Sequence, residues 1–333
     1  SQYTANIAFA GFTAPKILWM QKNEPENFKK VVKIMLPKDY LAYRLSGSFC
    51  TDVSDASGMQ LLDVPKRQWS DELLEILDID KSLLAKVYES PEVTGTILPE
   101  IAAKTGLSTS TVVVGGAGDN AAAAVGTGVV EDGKAFTTIG TSGVVFAHSN
   151  NISIDPKGRV HTFCCAVPGA WHVMGVTQAA GYSLAWFQEN IGTEYARKAK
   201  EQGCGAFDLI NADVQKTPIG ANRLIYLPYL NGERPPHVDP NCRGVFFGLS
   251  SMHTTADMAR AVMEGIQYSL TDCNDIIKEM GIEVSEMMAC GGGAKNAVQR
   301  QMMADMFGCD VKTVTATEGP ALGVAILAGV GAG

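Results

Sequence analysis

The sequence has no C-x-x-C pair among its eight cysteines and no histidine at ligand spacing from any of them. That argues against a metal-thiolate site. Cys50, Cys164, Cys165, Cys204, Cys242, Cys273, Cys290 and Cys309 are scattered, as expected of small buried hydrophobes in a reduced, cytoplasmic setting. There is no basic run either: 27 Lys and Arg stand against 35 Asp and Glu, a formal charge of -8. No nucleic-acid partner is expected, because a phosphate backbone is held by clustered cations. No apolar run is long enough for a bilayer. The most apolar tract, 321–333, falls short of the ~20 residues a spanning helix needs, and its Gly and Ala content suits a packed helix, so no membrane partner is expected. G-x-x-x-x-G-K-[ST] does not occur, which removes a P-loop. Ser1 is followed by no basic and apolar leader, so no targeting signal is read there, and the chain is expected to begin inside a gene product.

What is present is the balance of a folded α/β protein: 46% hydrophobic residues, 19% charged, 35 Gly against 14 Pro. A chain of 333 residues exceeds the ~250 at which single cores stop growing, so two domains are expected, with a boundary near Val130. The opening third reads as helices over Pro15–Gln21, Glu24–Ile34, Pro37–Leu45 and Asp71–Leu77, punctuated by Pro and Gly. Thr111–Val114 is a β-branched core strand that stops at Gly115, Gly116, Ala117 and Gly118 and feeds a helix start at Ala121–Val125. From Lys134 strands take over. Ala135–Ile139, a Gly140–Gly143 turn and Val144–His148 form a hairpin, and Trp171–Val176 is a later strand. Met258–Met280 carries apolar residues at helical spacing, with Thr254 and Asp257 to cap it and Gly281 to stop it. Met287–Cys290 then runs into Gly291, Gly292 and Gly293 and the helix Asn296–Phe307.

Three glycine turns thus follow strands, and each lets backbone N–H groups approach a ligand that a Cβ would block. Gly116 to Ala121 fits the dinucleotide pattern G-x-G-x-x-A. Asp119 argues against that reading, since a carboxylate in the turn repels a pyrophosphate. An acid exposed at the carboxyl end of a parallel strand, beside Asn120, instead suits a group that grips a hydroxyl and takes its proton. A plain N-cap is the structural alternative for Asp119, and an ordinary turn for Gly140–Gly143. Gly291–Gly293 costs roughly 1 kcal/mol per residue in chain entropy, which favours close approach by a ligand or another backbone. The five histidines are dispersed, with no nucleophilic triad spacing, and Trp171, Trp186 and Met302–Met306 read as packing. Glu233 and Arg234 are an ion pair or a ligand-facing pair.

Two long segments carry a family resemblance. Gly11–Asn23 resembles the first signature of the FGGY carbohydrate kinases, and Gly244–Leu249, continuing through Asp257 to Glu264, the second. Between them Leu36–Tyr40, Gly118–Asn120, Ile139–Gly143 and Tyr229–Arg234 resemble segments of the family's xylulokinase group, in order. The resemblance covers essentially the whole chain. It implies an actin-like ATPase (ribonuclease-H-like) α/β fold with two lobes around a cleft: 1–130 the remainder of an N-terminal sugar-binding lobe, 131–333 the ATP-binding lobe. It implies ATP-dependent phosphorylation of D-xylulose, with gluconate, ribulose or glycerol as alternative substrates and a non-catalytic sugar-binding descendant as the alternative class. Asp119 matches the general base and Asn120 a sugar-hydroxyl partner. Gly140, Thr141, Ser142, Gly181, Gly292, Gly293, Ala294 and Asn296 match positions facing ATP. The partners implied are a sugar and ATP with Mg2+, with a homodimer left open as the assembly. Relatives open with a D-x-G-T hairpin for phosphate and metal and an M-H-G-Q-like sugar segment. Neither precedes Gly11, and relatives continue past Gly333, so the first lobe is expected to be incomplete and no metal ligand is assigned.

Overall fold

The computed structural model describes residues 3–234, 236–314 and 319–333. The chain forms two compact units interleaved in sequence: Ser1–Asp132, His148–Val173 and Ala316–Gly333 make the first, Gly133–Ala147 and Met174–Thr315 the second.

In the first unit, helix Thr13–Asn23 buries Ala14 and Ile17. Helix Pro37–Ser46 opens with Pro at its first turn, where the missing N–H costs nothing, and ends at Gly47 with φ 76°. The helix expected over Glu24–Ile34 is corrected to a single turn, Pro25–Phe28. Beyond it the Ile34 N–H donates to the Leu83 carbonyl at 2.8 Å, and Ile34 bridges Leu84 in parallel. That pairing places Ile34 against the buried cluster around Leu61, Leu62 and Val64, and burial outweighs helix propensity. Strand Cys50–Asp52 pairs in parallel with Lys86–Tyr88.

Strand Val112–Val114 pairs antiparallel with Val93–Thr96. The expectation of a parallel strand ahead of Asp119 is therefore wrong: the strand before the turn belongs to a two-stranded antiparallel ribbon. Helix Asp119–Gly126 follows the turn. It lies against helix Gly319–Ala332 at backbone distance: a Cβ on Gly126 would stand 1.9 Å from the Gly319 carbonyl oxygen, and one on Gly323 1.8 Å from that of Ala122. The apolar tract near residue 321 is thus a packed helix, and among the described residues no helix is long and apolar enough to cross a membrane.

The second unit is built on the hairpin that pairs Ala135 with Ala147 through to Ile139 with Gly143. Val284–Gly291 pairs in parallel with Gly133–Ile139 and, on its other side, with Asp310–Thr313. Helix Thr255–Glu279 starts in the expected capping box, the Thr254 N–H donating to Asp257 Oδ2 at 2.7 Å, and stops before Gly281 at φ 82°. Gly265 brings this helix onto strand Ile225–Leu227, since a Cβ there would stand 2.2 Å from the Tyr226 carbonyl oxygen. The cysteines are only partly as expected. All eight are free, and Cys50, Cys164, Cys165 and Cys273 are buried, but Cys204 is exposed and Cys242, Cys290 and Cys309 are half-buried.

Candidate active site

Asp119 is the first residue of its helix, and the cap position belongs to Gly118, with φ -60° and ψ 151°. The N-cap alternative therefore falls. The Asp119 side chain is exposed, and its Oδ1 accepts from the Asn120 N–H at 2.8 Å and from Asn120 Nδ2 at 3.1 Å. Acid and amide thus act as one polar unit at the start of the helix.

Behind this turn lies a charged cluster whose members the sequence reading did not assign to the site. Lys38 Nζ meets Asp39 Oδ1 at 2.7 Å, Asp52 Oδ1 at 2.8 Å and Asp55 Oδ2 at 4.0 Å. Burial works against the Lys38 charge, but the Asp52 and Asp39 carboxylates overcome it and hold its pKa above lysine's ordinary value. Burial pushes the Asp55 carboxyl up to about 6, opposed by Lys38 and assisted by Asp52, Asp39 and Asp119. The available signal was the pair of acids three apart, Asp52 ending a strand and Asp55 in the helix turn that follows.

In the second unit a cavity of about 440 Å³ gathers six of the eight positions expected to face ATP: Gly140, Thr141, Gly181, Gly292, Gly293 and Asn296. The Gly140–Ser142 turn is held by the start of helix Gly181–Asn190. The Gly181 N–H donates to the Gly140 carbonyl at 2.8 Å and the Tyr182 N–H to that of Thr141 at 3.1 Å. Gly181 is required by this approach, since its Cβ would stand 2.4 Å from the Gly140 carbonyl oxygen. Ser142 is exposed in the same turn, its carbonyl accepting the Gly140 N–H, but it is not among the residues lining the cavity. Ala294 is buried in the short helix Gly293–Lys295 and also lies off the cavity wall.

Asn296 lines the cavity but its amide is already engaged: Oδ1 caps helix Ala297–Phe307 through the Val298 N–H at 2.9 Å, and Nδ2 donates to Asn211 Oδ1 at 2.6 Å. The sequence reading missed Phe207, Asn211 and Gln299 on the same wall. Gln299 follows Asn296 by three residues and Asn211 follows Phe207 by four, the spacings that share a helix face, and this was the signal available. Gln299 is 4% exposed, and its Nε2 has no hydrogen-bond partner among the described residues.

Glu233 is buried, and the charge of Arg234 acts on it. Its buried Oε1 accepts the backbone N–H groups of Gln178, at 2.8 Å, and Arg234, at 2.7 Å. Burial raises its pKa, and those two donors oppose the rise. Among the described residues no three ligating side chains come together to hold a metal ion.

The chain has close counterparts among known proteins. It is 43% identical to the xylulose kinase of Escherichia coli over 330 residues, covering 99% of this chain and 66% of the relative. It is 42% identical to that of Lactococcus lactis, covering all of this chain and 64% of the relative. A crystal structure of a xyloylose kinase from Brucella ovis superposes with a TM-score of 0.91 at 35% identity, over 99% of this chain and 66% of that one. The chain therefore spans 64–66% of the length of these two curated relatives. The fold is the mixed α/β, actin-like ATPase fold of these sugar kinases. Residues 1–126 match the N-terminal domain and residues 135–332 the C-terminal domain of one family, and the chain belongs to the FGGY family of carbohydrate kinases.

Proposed function

We propose that the complete protein transfers the γ-phosphoryl group of ATP to the terminal hydroxyl of D-xylulose, giving xylulose 5-phosphate. The observation that carries this is the glycine-lined cavity of the second unit, where Gly140, Thr141, Gly181, Gly292 and Gly293 bring backbone to the surface. Phosphoryl transfer asks a protein mainly for positioning and charge neutralisation, which backbone N–H groups provide without competing side chains. The xylulose kinases of Escherichia coli and Lactococcus lactis, at 43% and 42% identity, point to the sugar.

In this reading residues 1–130 belong to the sugar-binding part and 131–333 to the ATP-binding part. Asn120 orients the sugar, and Asp119 takes the proton of its hydroxyl. As that oxygen bonds to the γ-phosphorus, the bond from phosphorus to the ADP oxygen breaks, so the proton ends on Asp119 and the charge on ADP. The nucleotide phosphates would be the main ligands of Mg2+, with one or two carboxylates at most, and the ion would neutralise charge on them.

The test is ADP release by the complete protein with D-xylulose, D-ribulose, gluconate and glycerol, repeated with Asp119→Asn. D-xylulose should give the highest kcat/KM. The substitution keeps volume and one acceptor but removes the base, so kcat should fall by about 10²–10⁴ with ATP affinity and Tm retained. Another sugar with the higher kcat/KM overturns the substrate; an Asp119→Asn enzyme with more than about a tenth of the parent kcat overturns the base.

A further inference from the structure

We propose that Lys38, Asp52 and Ser54 form a positioning chain that fixes the backbone turn presenting Asp119. The inference rests on Asp119 being the base. Both ends of the turn are clamped by this chain. At its start, Lys38 Nζ donates to the Gly115 carbonyl at 3.3 Å. At its end, the Gly118 N–H donates to Ser54 Oγ at 3.0 Å, one residue before Asp119. Between the clamps lies Asp52, whose side chain is fully buried. Its Oδ1 meets Lys38 Nζ at 2.8 Å, and its Oδ2 accepts from Ser54 N at 2.8 Å, Ser54 Oγ at 2.5 Å and Ser90 Oγ at 3.0 Å.

A buried ion pair of this kind is weak support for stability, because apolar residues of similar volume would do as well without desolvating two charges. What it supplies is direction. Asp52 commits the only proton of the Ser54 hydroxyl, which leaves the Ser54 oxygen lone pairs facing outward as an acceptor for Gly118. Asp55 packs against Gly118, where a Cβ would stand 3.3 Å from Asp55 Oδ1 and would press on that carboxylate. The turn therefore has one seat, and Asp119 leaves it at the first helical position with its carboxylate exposed.

Ser54→Ala in the complete protein removes only the hydroxyl that holds Gly118. A base displaced by a fraction of an ångström loses rate rather than binding, so kcat should fall about tenfold or more while KM for ATP stays within about twofold. Ser90→Ala is the control, since Ser90 donates to the same Asp52 oxygen but no hydrogen bond joins its side chain to the turn; it should keep at least about half of kcat. Ser54→Cys, with similar volume and a weaker acceptor, should fall between parent and Ser54→Ala, and it reads the same chain should the alanine variant fail to fold.

The decisive measurement is the double-variant cycle with Asp119→Asn. A chain that acts through the base has nothing left to position, so Ser54→Ala should lower the residual Asp119→Asn rate by less than about twofold. The proposal is overturned if Ser54→Ala keeps more than half of kcat, if it matches Ser90→Ala, or if its full loss persists beside Asp119→Asn. Should Asp119→Asn alone keep its kcat, the base assignment falls instead, and the two failures are told apart.

Discussion

Gly293 lies so close to Ile139 that a Cβ on it would stand 2.6 Å from the Ile139 Cβ, whereas one on neighbouring Gly292 would meet only the Ile139 carbonyl oxygen at 3.9 Å. Both glycines line the same cavity, and they separate fold from ligand. Gly292 has φ -63° and ψ -37°, which any residue adopts. Gly292→Val should thus leave Tm within about 2 °C and weaken ATP binding at least tenfold, about 1.4 kcal/mol. Gly293→Ala must move Ile139 and should cost about 1–3 kcal/mol of stability. Calorimetric titration with ATP, paired with melting curves, checks both, and unchanged affinity in Gly292→Val removes the nucleotide from this cavity.

Gln299 should show opposite signs in stability and affinity. Its Nε2, buried with no partner among the described residues, is a cost to the fold, so Gln299→Leu should melt no lower than the parent. A glutamine amide pairs with adenine through an acceptor for the amino group and a donor to a ring nitrogen, a contact worth about 1–3 kcal/mol of base discrimination. The leucine variant should bind ATP about tenfold more weakly and lose most of its preference over GTP. A Gln299→Leu protein with the parent's ATP-to-GTP ratio would show that the base is read elsewhere.

The raised Asp55 carboxyl gives a pH dependence whose sign follows from linkage. Its pKa in the fold is about 6 against 3.8 for the free side chain, so the native state binds the extra proton between those values. Stability therefore falls as pH rises from about 4 to 6, and the cost is fully present at neutral pH. Asp55→Asn should stabilise the protein at pH 7.5, by roughly 3 kcal/mol at most, and give almost no gain at pH 4. Denaturant melts at both values test this, and equal gains at the two would refute the assignment.

The crossing of helices Asp119–Gly126 and Gly319–Ala332 predicts a contrast between glycines of one helix. Gly323→Ala forces a methyl into the Ala122 carbonyl and should lose at least about 2 kcal/mol. Gly329, in the same helix, has nothing within 4 Å of its built Cβ. Gly329→Ala should therefore gain about 0.5–1 kcal/mol from reduced chain entropy. Loss of stability in both, or in neither, contradicts the packing described.

Local signals in the sequence were read well where local forces decide. The capping box at Thr254, the Ile139–Gly143 hairpin and the strand, turn and helix around Asp119 all follow from turn residues and periodicity. Long-range pairing was not legible. The antiparallel partner of Val112–Val114 is Val93–Thr96, and nothing in a β-branched run states which strand lies beside it. Ile34 leaves its expected helix to bridge Leu84, a choice made by burial 50 residues away. The contacts of Lys38, which stands in the Leu36–Tyr40 segment, and of Ser54 were invisible for the same reason, since the Ser54 to Gly118 bond spans 64 residues. The second signature ends in a residue that holds the fold, because Glu264 Oε1 meets Arg260 Nε at 2.6 Å and the Gly220 N–H at 3.0 Å.

The interleaving of the two units constrains the order in which a ribosome can complete them. Helix Asp119–Gly126 is synthesised early, yet the helix that covers its glycine face, Gly319–Ala332, emerges only after all of the second unit. A nascent chain that has reached residue 300 holds the described strands of the first unit and still exposes the Ala122 and Gly126 backbone to solvent. Contacts this distant in sequence close slowly, because loop closure must be met before packing rewards it. The glycine face of the helix that begins at Asp119 is thus closed late, and a stalled or clipped chain would present that open face to a chaperone or a protease.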